Sequence, residues 1–270
     1  MTMIAILIIL TAALLIYILA VRCRSGHSGL AALRGWAYAH RGLHGNGVPE
    51  NSMAAFRSAL EGGYGIELDI HLLRDGNLAV IHDASLKRTA GADVHIEDLS
   101  TEDLSSYKLE GTDETIPTFR QVLDLFAGKA PLIVELKPVG NNAAALCQAA
   151  CDMLADYEGA YCIESFDPRC IAWLKKNRPQ IIRGQLSENF CKGKGTLSPL
   201  LKFVMTHHLE LFLVLPDFVA YKFADRKTLG NVIARKFWGA QGVTWTLRSQ
   251  QDFDTAVKEG WLPIFEGFRP

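Results

Sequence analysis

The chain has 270 residues, 49% of them hydrophobic and 21% charged, with a formal net charge of −1. That composition excludes a disordered or fibrous chain, and the balanced charge leaves no basic face to neutralise phosphates, so no nucleic-acid partner is expected. The six cysteines (Cys23, Cys147, Cys151, Cys162, Cys170 and Cys191) have neither disulfide-scaffold nor zinc-site spacing and fit a reducing compartment.

The first predicted element is Met3 to Val21, nineteen uncharged residues, long enough as a helix to cross a hydrocarbon core of ~30 Å. No basic segment precedes it and no small-x-small cleavage site follows, which favours an uncleaved transmembrane anchor over a signal peptide. Arg22 and Arg24 follow the run while no Lys or Arg precedes it, so the positive-inside rule puts the bulk of the chain on the cytoplasmic side of a single-pass membrane protein. The expected organisation is an anchor with its basic flank over 1–24, a linker over 25–32 and one domain over 33–270.

Within that domain "WAYAH", Trp36 to His40, reads as a short strand. A glycine-rich loop leads into a helix capped by Asn51 or Ser52 and stopped by Gly62-Gly63. The stretch Gly65 to Asp83 then reads as a β-hairpin. Ile66, Leu68 and Ile70 alternate with Glu67, Asp69 and His71, and Arg74-Asp75-Gly76-Asn77 turns the chain so that Leu78 to Ile81 brings back His82 and Asp83. Residues 84–116 are polar, without a long apolar period, and read as an insertion or lid. Beyond them strands and helices alternate: helix 118–128, strand 131–138, helix 142–157, strand 161–166, helix 167–177, strand 181–186, helix 200–208, strand 217–221, helix 225–238, strand 242–247, helix 250–259 and strand 263–267.

The strand count selects the topology. Leu73 and Leu78 are joined by too few residues for a parallel crossover, so the return arm of the hairpin runs antiparallel and lies outside the main sheet. Eight parallel strands remain, which predicts a closed (β/α)8 barrel of the TIM type carrying a small insertion after the hairpin. A doubly wound sheet is disfavoured, because no dinucleotide-type glycine fingerprint follows a first strand.

Barrels of this kind form their sites where the strands end. The polar residues there are His40, Arg41, Glu67, Asp69, Glu135, Lys137, Glu164, Gln185 and Trp245. Glu67, Asp69 and Glu135 make an all-oxygen trianionic set suited to one hard divalent cation, Mg²⁺ or Ca²⁺. Arg41 and Lys137 beside it suit a phosphate. Displacement at a phosphodiester needs a base and an acid, and His40 and His82 supply two imidazoles for those roles. Other features are read more plainly. His44 is a solvated loop residue, and His71 stands at most behind the ligands. His207 and His208 complement a helix C-terminus, Cys147 and Cys151 are buried apolar residues, and "CKGKG" (191–195) is a turn and no P-loop. The apolar "HLELFLVLPDF" is too short to span a bilayer and is expected near the membrane surface.

The motifs "AHRG…PENS", "ELDIHLLRDGNLAVIHD" and "VELK" resemble, in order and spacing, those of the glycerophosphodiester phosphodiesterases, and the resemblance covers Trp36 to the C-terminus. It implies a phosphatidylinositol-phospholipase-C-like barrel that hydrolyses glycerophosphodiesters to glycerol 3-phosphate and an alcohol. It implies His40 and His82 as the acid/base pair, Glu67, Asp69 and Glu135 as metal ligands, and Arg41 and Lys137 as phosphate contacts. Glu50 matches a family Glu that supports the site, and Trp245 resembles the aromatic that walls the glycerol pocket. The alternatives are a lysophospholipase D acting on membrane lysophospholipids, or a catalytically idle membrane-bound binding barrel. The implied partners are a small-molecule or lipid-derived phosphodiester and the membrane. Two departures concern substrate contacts: "LRSQ" follows "VTWT" and puts Arg248 near the mouth, and "PIFEG" puts Glu266 where the family often has an Asp-containing turn.

Overall fold

The computed structural model describes residues 2–193 and 197–270, so the end of the "CKGKG" turn lies outside the described residues. The apolar N-terminal run forms helix α1 (Thr2–Ala20), whose residues 3–16 are exposed. After it the chain is tied down at once. Arg24 forms a two-pronged pair with buried Asp217, each bond 2.5 Å long, and Asp217 also accepts from the Arg183 backbone N–H at 3.0 Å. Residues expected to be linker are therefore partly structural. Leu30 opens helix α2 (Leu30–Leu33), and buried Leu30 and Leu33 join the cluster that fills the inside of the barrel. The hydroxyl of Tyr38 donates to the Leu33 carbonyl at 2.6 Å, which fixes α2 beneath the first strand.

That strand, β1 (Tyr38–His40), leads to helix α3 (Met53–Glu61), where the Ser52 hydroxyl accepts from Ala55 N–H as the cap. Strand β2 (Gly65–Leu72) and β3 (Leu78–Val80) form the antiparallel hairpin, with Ile70 opposite Val80. Helix α4 (Lys87–Ala90) and two 3-10 turns follow. The polar stretch that lacked a periodic signal has a core of its own: Leu86, Ile96, Leu104, Leu109 and Ile116 are buried together against Leu73 and Ile81 of the hairpin. The rest alternates as α5 (Phe119–Phe126), β4 (Leu132–Leu136), α6 (Ala143–Leu154), β5 (Tyr161–Ser165), α7 (Pro168–Asn177) and β6 (Arg183–Ser187). Helices α8 (Pro199–Thr206) and α9 (Leu211–Val214), strand β7 (Phe218–Lys222), α10 (Leu229–Lys236), β8 (Gln241–Leu247), α11 (Gln250–Lys258) and β9 (Trp261–Phe265) complete it.

Helix 142–157 ends at Leu154, α9 forms where no helix was expected, and the helix over 225–238 is shortened at its start. The segment 225–238 opens as a 3-10 turn, Phe223–Asp225, and α10 begins only at Leu229, because Asp225 is held by Lys192 and Thr228 is extended at φ −61° and ψ 146°.

Eight parallel strands close in the order β1-β9-β8-β7-β6-β5-β4-β2, with β2 back against β1 and β3 appended to β2. This is a (β/α)8 barrel. Ile66, Leu68 and Ile70 point outward into the layer between strands and helices, while Ile133, Cys162, Phe218 and Val243 fill the interior. Gly184 on β6 makes room there, since a Cβ on it would lie 2.0 Å from the Phe218 ring. Along β4 and β5 the inward face changes character two residues further on, from Ile133 and Cys162 to Glu135 and Glu164. The barrel thus has an apolar floor and an acidic upper layer.

Because Leu33 is fully buried in that floor, Leu33→Ala should lower stability by about 3 kcal/mol in a denaturant titration of the folded chain. A residue outside the packed core would tolerate the change, so a loss below about 0.5 kcal/mol would contradict the role given to α2.

Candidate active site

The parallel register assembles the site. His40 on β1 pairs with Glu67 on β2, Asp69 on β2 with Glu135 on β4, and Glu135 with Glu164 on β5. Each strand contributes its inward, C-terminal residues, so four carboxylates and an imidazole meet at one end of the barrel. Glu67, Asp69 and Glu135 are buried and offer oxygens that all lie within 4.8 Å of one another. Asp69 Oδ1 and Glu164 Oε2 are buried without a hydrogen-bond partner. Crowded, partly unpartnered, all-oxygen donors of this kind fit a hard divalent cation.

Cations of the chain flank the acids. Lys137 donates to Glu135 at 3.0 Å and lies 3.5 Å from Asp69. Arg41 approaches Asp69 at 3.5 Å, and its backbone N–H donates to Glu67 at 3.2 Å. Its guanidinium donates to Glu50 at 2.9 Å, and Arg88 of α4 donates to the same oxygen at 2.6 Å. Glu50 is therefore tied to two arginines and does not join the three-carboxylate cluster.

Both candidate histidines are held the same way. His40 Nδ1 lies 2.6 Å from Glu266, and His82 Nδ1 lies 2.6 Å from Asp83, so each ring presents Nε2 as its free nitrogen. Arg248 donates to the other oxygen of Glu266 at 2.9 Å, and Arg88 bonds the other oxygen of Asp83 at 2.5 Å. His40, Arg41, Glu67, His82, Glu135, Glu164 and Trp245 line one cavity, with Phe166 packed edge-on against Trp245 at 5.6 Å. Every residue singled out from the sequence lies in this cavity or one contact behind it.

Several contributors were not singled out. Asp83 comes back with His82 on the hairpin and Asn51 is a cap candidate beside Ser52, but nothing in the sequence marks these two, or Arg88, Arg248 and Glu266, as supports of the site; the cap is Ser52, and Asn51 donates to Asp69 at 2.9 Å. His44 had been read as solvated, yet it lies close enough to His40 and Glu266 to group with them, and its Nε2 is buried. His71 is buried between Glu97, at 2.7 Å, and the His82 carbonyl, at 3.2 Å. The segment 84–116 is thus a brace for the site, through Arg88 and Glu97, and not a free lid.

The electrostatics follow from burial. Desolvation, reinforced by Asp69 and Glu135, pushes the Glu67 carboxyl well above the usual range. Burial also lifts Glu135 to about 7 although Lys137 opposes it, and Glu164 rises through burial and its acidic neighbours. Asp69 goes the other way: burial is outweighed by Lys137, His82, Arg41 and the Asn51 hydrogen bond, which hold it low. Burial lowers both His40 and His82, so both imidazoles are neutral at neutral pH, although Glu266 and Asp83 partly counter this. Glu266 is drawn down to about 2 by its hydrogen bond to His40.

A model of the glycerophosphoryl diester phosphodiesterase family matches residues 40–266. The chain is 29% identical over 238 residues to a glycerophosphodiester phosphodiesterase of Caldanaerobacter subterraneus, covering 82% of this chain and 89% of that protein. It is 36% identical over 132 residues to a lysophospholipase D of Rattus norvegicus, covering 44% of this chain and 40% of that one. Three curated relatives are spanned over 43%, 89% and 40% of their own lengths. Among solved structures, an Oleispira antarctica phosphodiesterase in complex with the product sn-glycerol-3-phosphate has the same fold, with a TM-score of 0.72, 22% identity and coverage of 90% of this chain and 95% of that one.

Glu67 and Glu135 are raised carboxyls, so the fold binds their protons more tightly than the unfolded chain does. Their contribution to stability is then lost as pH rises from the ordinary carboxylate range through about 7. A divalent cation that takes up the charge reverses this loss. Adding Mg²⁺ or Ca²⁺ should raise Tm by several degrees near about pH 8 and by little near about pH 5. Glu67→Gln should shrink the rise, and an equal rise at both pH values would count against this site.

Proposed function

The chain belongs to the glycerophosphoryl diester phosphodiesterase family, and from that premise we propose that it hydrolyses glycerophosphodiesters to glycerol 3-phosphate and an alcohol, using one divalent cation. The observation that carries this reading is the pair of carboxylate-held imidazoles, His40 and His82, facing one cavity with the acidic cluster. Glu67, Asp69 and Glu135 would hold the ion, Mg²⁺ or Ca²⁺. Bound there, it would offset charge on the phosphate oxygens.

The side chains do the rest. Arg41 and Lys137 orient the phosphate and oppose its charge. Each carboxylate fixes one tautomer of its histidine, with the proton on Nδ1, and leaves Nε2 for proton transfer. One imidazole, neutral at rest, takes the proton of the attacking glycerol 2-hydroxyl. The other, protonated beside the anionic diester, gives its proton to the leaving alkoxide. After the alcohol leaves, water opens the resulting cyclic phosphate to glycerol 3-phosphate with the two imidazoles exchanging roles. Glu50 keeps Arg41 in place through a bridge to Arg88, and Trp245 with Phe166 walls the space beside the phosphorus.

The full chain should release glycerol 3-phosphate from glycerophosphocholine with Mg²⁺ or Ca²⁺ and not with EDTA. His40→Ala or His82→Ala should each cost about 10²- to 10⁴-fold in kcat. Glu266→Gln, which keeps the ring in place without the charge, should cost about tenfold and alter the pH profile. Absence of metal-dependent release from both glycerophosphocholine and lysophosphatidylcholine by folded protein would sink the assignment.

A second reading, lysophospholipase D activity, is favoured by α1, which reads as a single-pass anchor with the barrel on the cytoplasmic side after Arg22 and Arg24. A tethered barrel meets lipid-derived diesters at high local concentration. Choline released from lysophosphatidylcholine at a rate matching that from glycerophosphocholine would favour it. Release from glycerophosphocholine alone would reject it.

A further inference from the structure

Among the described residues, ten large apolar side chains outside α1 are exposed, and all but Val139 and Val257 lie between Leu200 and Phe237. They cover three neighbouring helices. Leu200 (73% exposed) and Phe203 belong to α8, Phe212 and Leu213 to α9, Leu229 to α10, and Phe237 (66%) closes α10. Solitary exposed apolar residues are ordinary, but a cluster of this kind marks a surface that meets something apolar.

Two further observations say what covers it. The first is continuity with α1, which meets the barrel within this cluster. The Trp238 indole donates to the Ile18 carbonyl at 2.8 Å, and Tyr17 lies against the His207 carbonyl and Gly230. Ile16, Leu19 and Ala20 of α1 line an open cleft with Phe212 and Leu215. An apolar helix of this length ends at the membrane boundary, and Tyr and Trp are the side chains that settle there. The second is charge. Among residues 197–239 the acids are Glu210 and Asp217, both buried, and Asp225, which is held by Lys192. Arg22, Lys227 and Lys236 are exposed at the edge of the cluster. The acids that other elements bring to this segment, Glu188 and Glu259, are paired with Lys222 and Arg226, and exposed apolar groups beside cations without an exposed acid in 197–239 match an anionic lipid interface.

We propose that α8, α9 and α10 form a docking face that rests in an anionic phospholipid surface, so that the barrel lies on the bilayer by one flank and does not hang freely from its anchor. The C-terminal turn of α8 and the first turn of α10 meet near the C-terminal ends of β6 and β7: the Ser187 and Tyr221 hydroxyls donate to the Met205 and Thr206 carbonyls, and Gly230 lies against the His207 carbonyl. That junction puts the face on the same side of the barrel as the strand ends that carry the site. This inference rests on α1 being a membrane span.

The test uses the full chain in phosphatidylcholine vesicles with or without phosphatidylglycerol. Single probes are introduced by Phe203→Cys, Leu213→Cys, Phe237→Cys or the control Val257→Cys in a Cys191→Ser background, the remaining cysteines being buried. Each is labelled with a fluorophore and challenged with a nitroxide carried shallowly on a lipid chain. Probes at 203, 213 and 237 should be quenched about twofold or more over the one at 257, and more so with phosphatidylglycerol present. Equal quenching at all four positions in a carbonate-resistant protein would overturn the face alone. Shielding from aqueous iodide without lipid quenching would assign the face to a protein partner or a second copy and also overturn it. Release of the chain by carbonate would overturn both the anchor and the face.

Discussion

Three carboxylates share one small space inside a closed barrel, and most of the functional end of the molecule is arranged around that crowding. Oxygens of Glu67, Asp69 and Glu135 lie within 4.8 Å of one another, a separation at which two unit charges repel by roughly 3 kcal/mol for an effective dielectric near 20. Only something that overdetermines their positions can hold them there. The barrel register does so, because Asp69 and Glu135 sit on hydrogen-bonded neighbours and cannot separate without opening the sheet. Lys137, Arg41 and Asn51 relieve part of the repulsion and favour Asp69 over its neighbours. The repulsion that remains is what a bound divalent cation would offset.

The supports behind the cluster come from distant parts of the chain. His40 is held by Glu266, 226 residues away, and Arg88 reaches Glu50 across 38 residues. A chain of alternating charge runs from His82 through Asp83, Arg88 and Glu50 to Arg41 and ends at Asp69. The segment 84–116 supplies Arg88, the link between Asp83 and Glu50. That explains why a stretch without obvious periodicity has a small apolar core: a floppy segment could not keep Arg88 and Glu97 at fixed positions.

What was legible in the sequence depended on local pattern. Alternation along Gly65 to His71 put Glu67 and Asp69 on one face, and the short turn after Leu73 made the next strand antiparallel, which left eight strands for the barrel. The residues clustered at strand ends could be found because a parallel barrel collects them there. Glu266 and Asp83 as partners of the histidines could not, since nothing local distinguishes a buried orienting carboxylate from a solvated one. The same holds for the start of α2, where Leu30 to Ala32 after a polar stretch look like the end of a linker until Tyr38 and the barrel floor give the helix something to pack on. His44 was misread for the reverse reason, because flanking glycines suggest mobility although the loop is pinned by the Leu43 and Asn51 backbone bonds.

The floor sealed by Leu30 and Leu33 has a consequence for traffic. Among the described residues the N-terminal end of the barrel is filled by apolar side chains, so the cavity is reached from the end where the strands carry the acidic layer, and on the proposed reaction substrate and both products would share that side. The first fragment to depart uncovers the second, and either one, while resident, blocks the next arrival. In a chamber of that shape the order in which products depart would bear on turnover as well as the chemistry does.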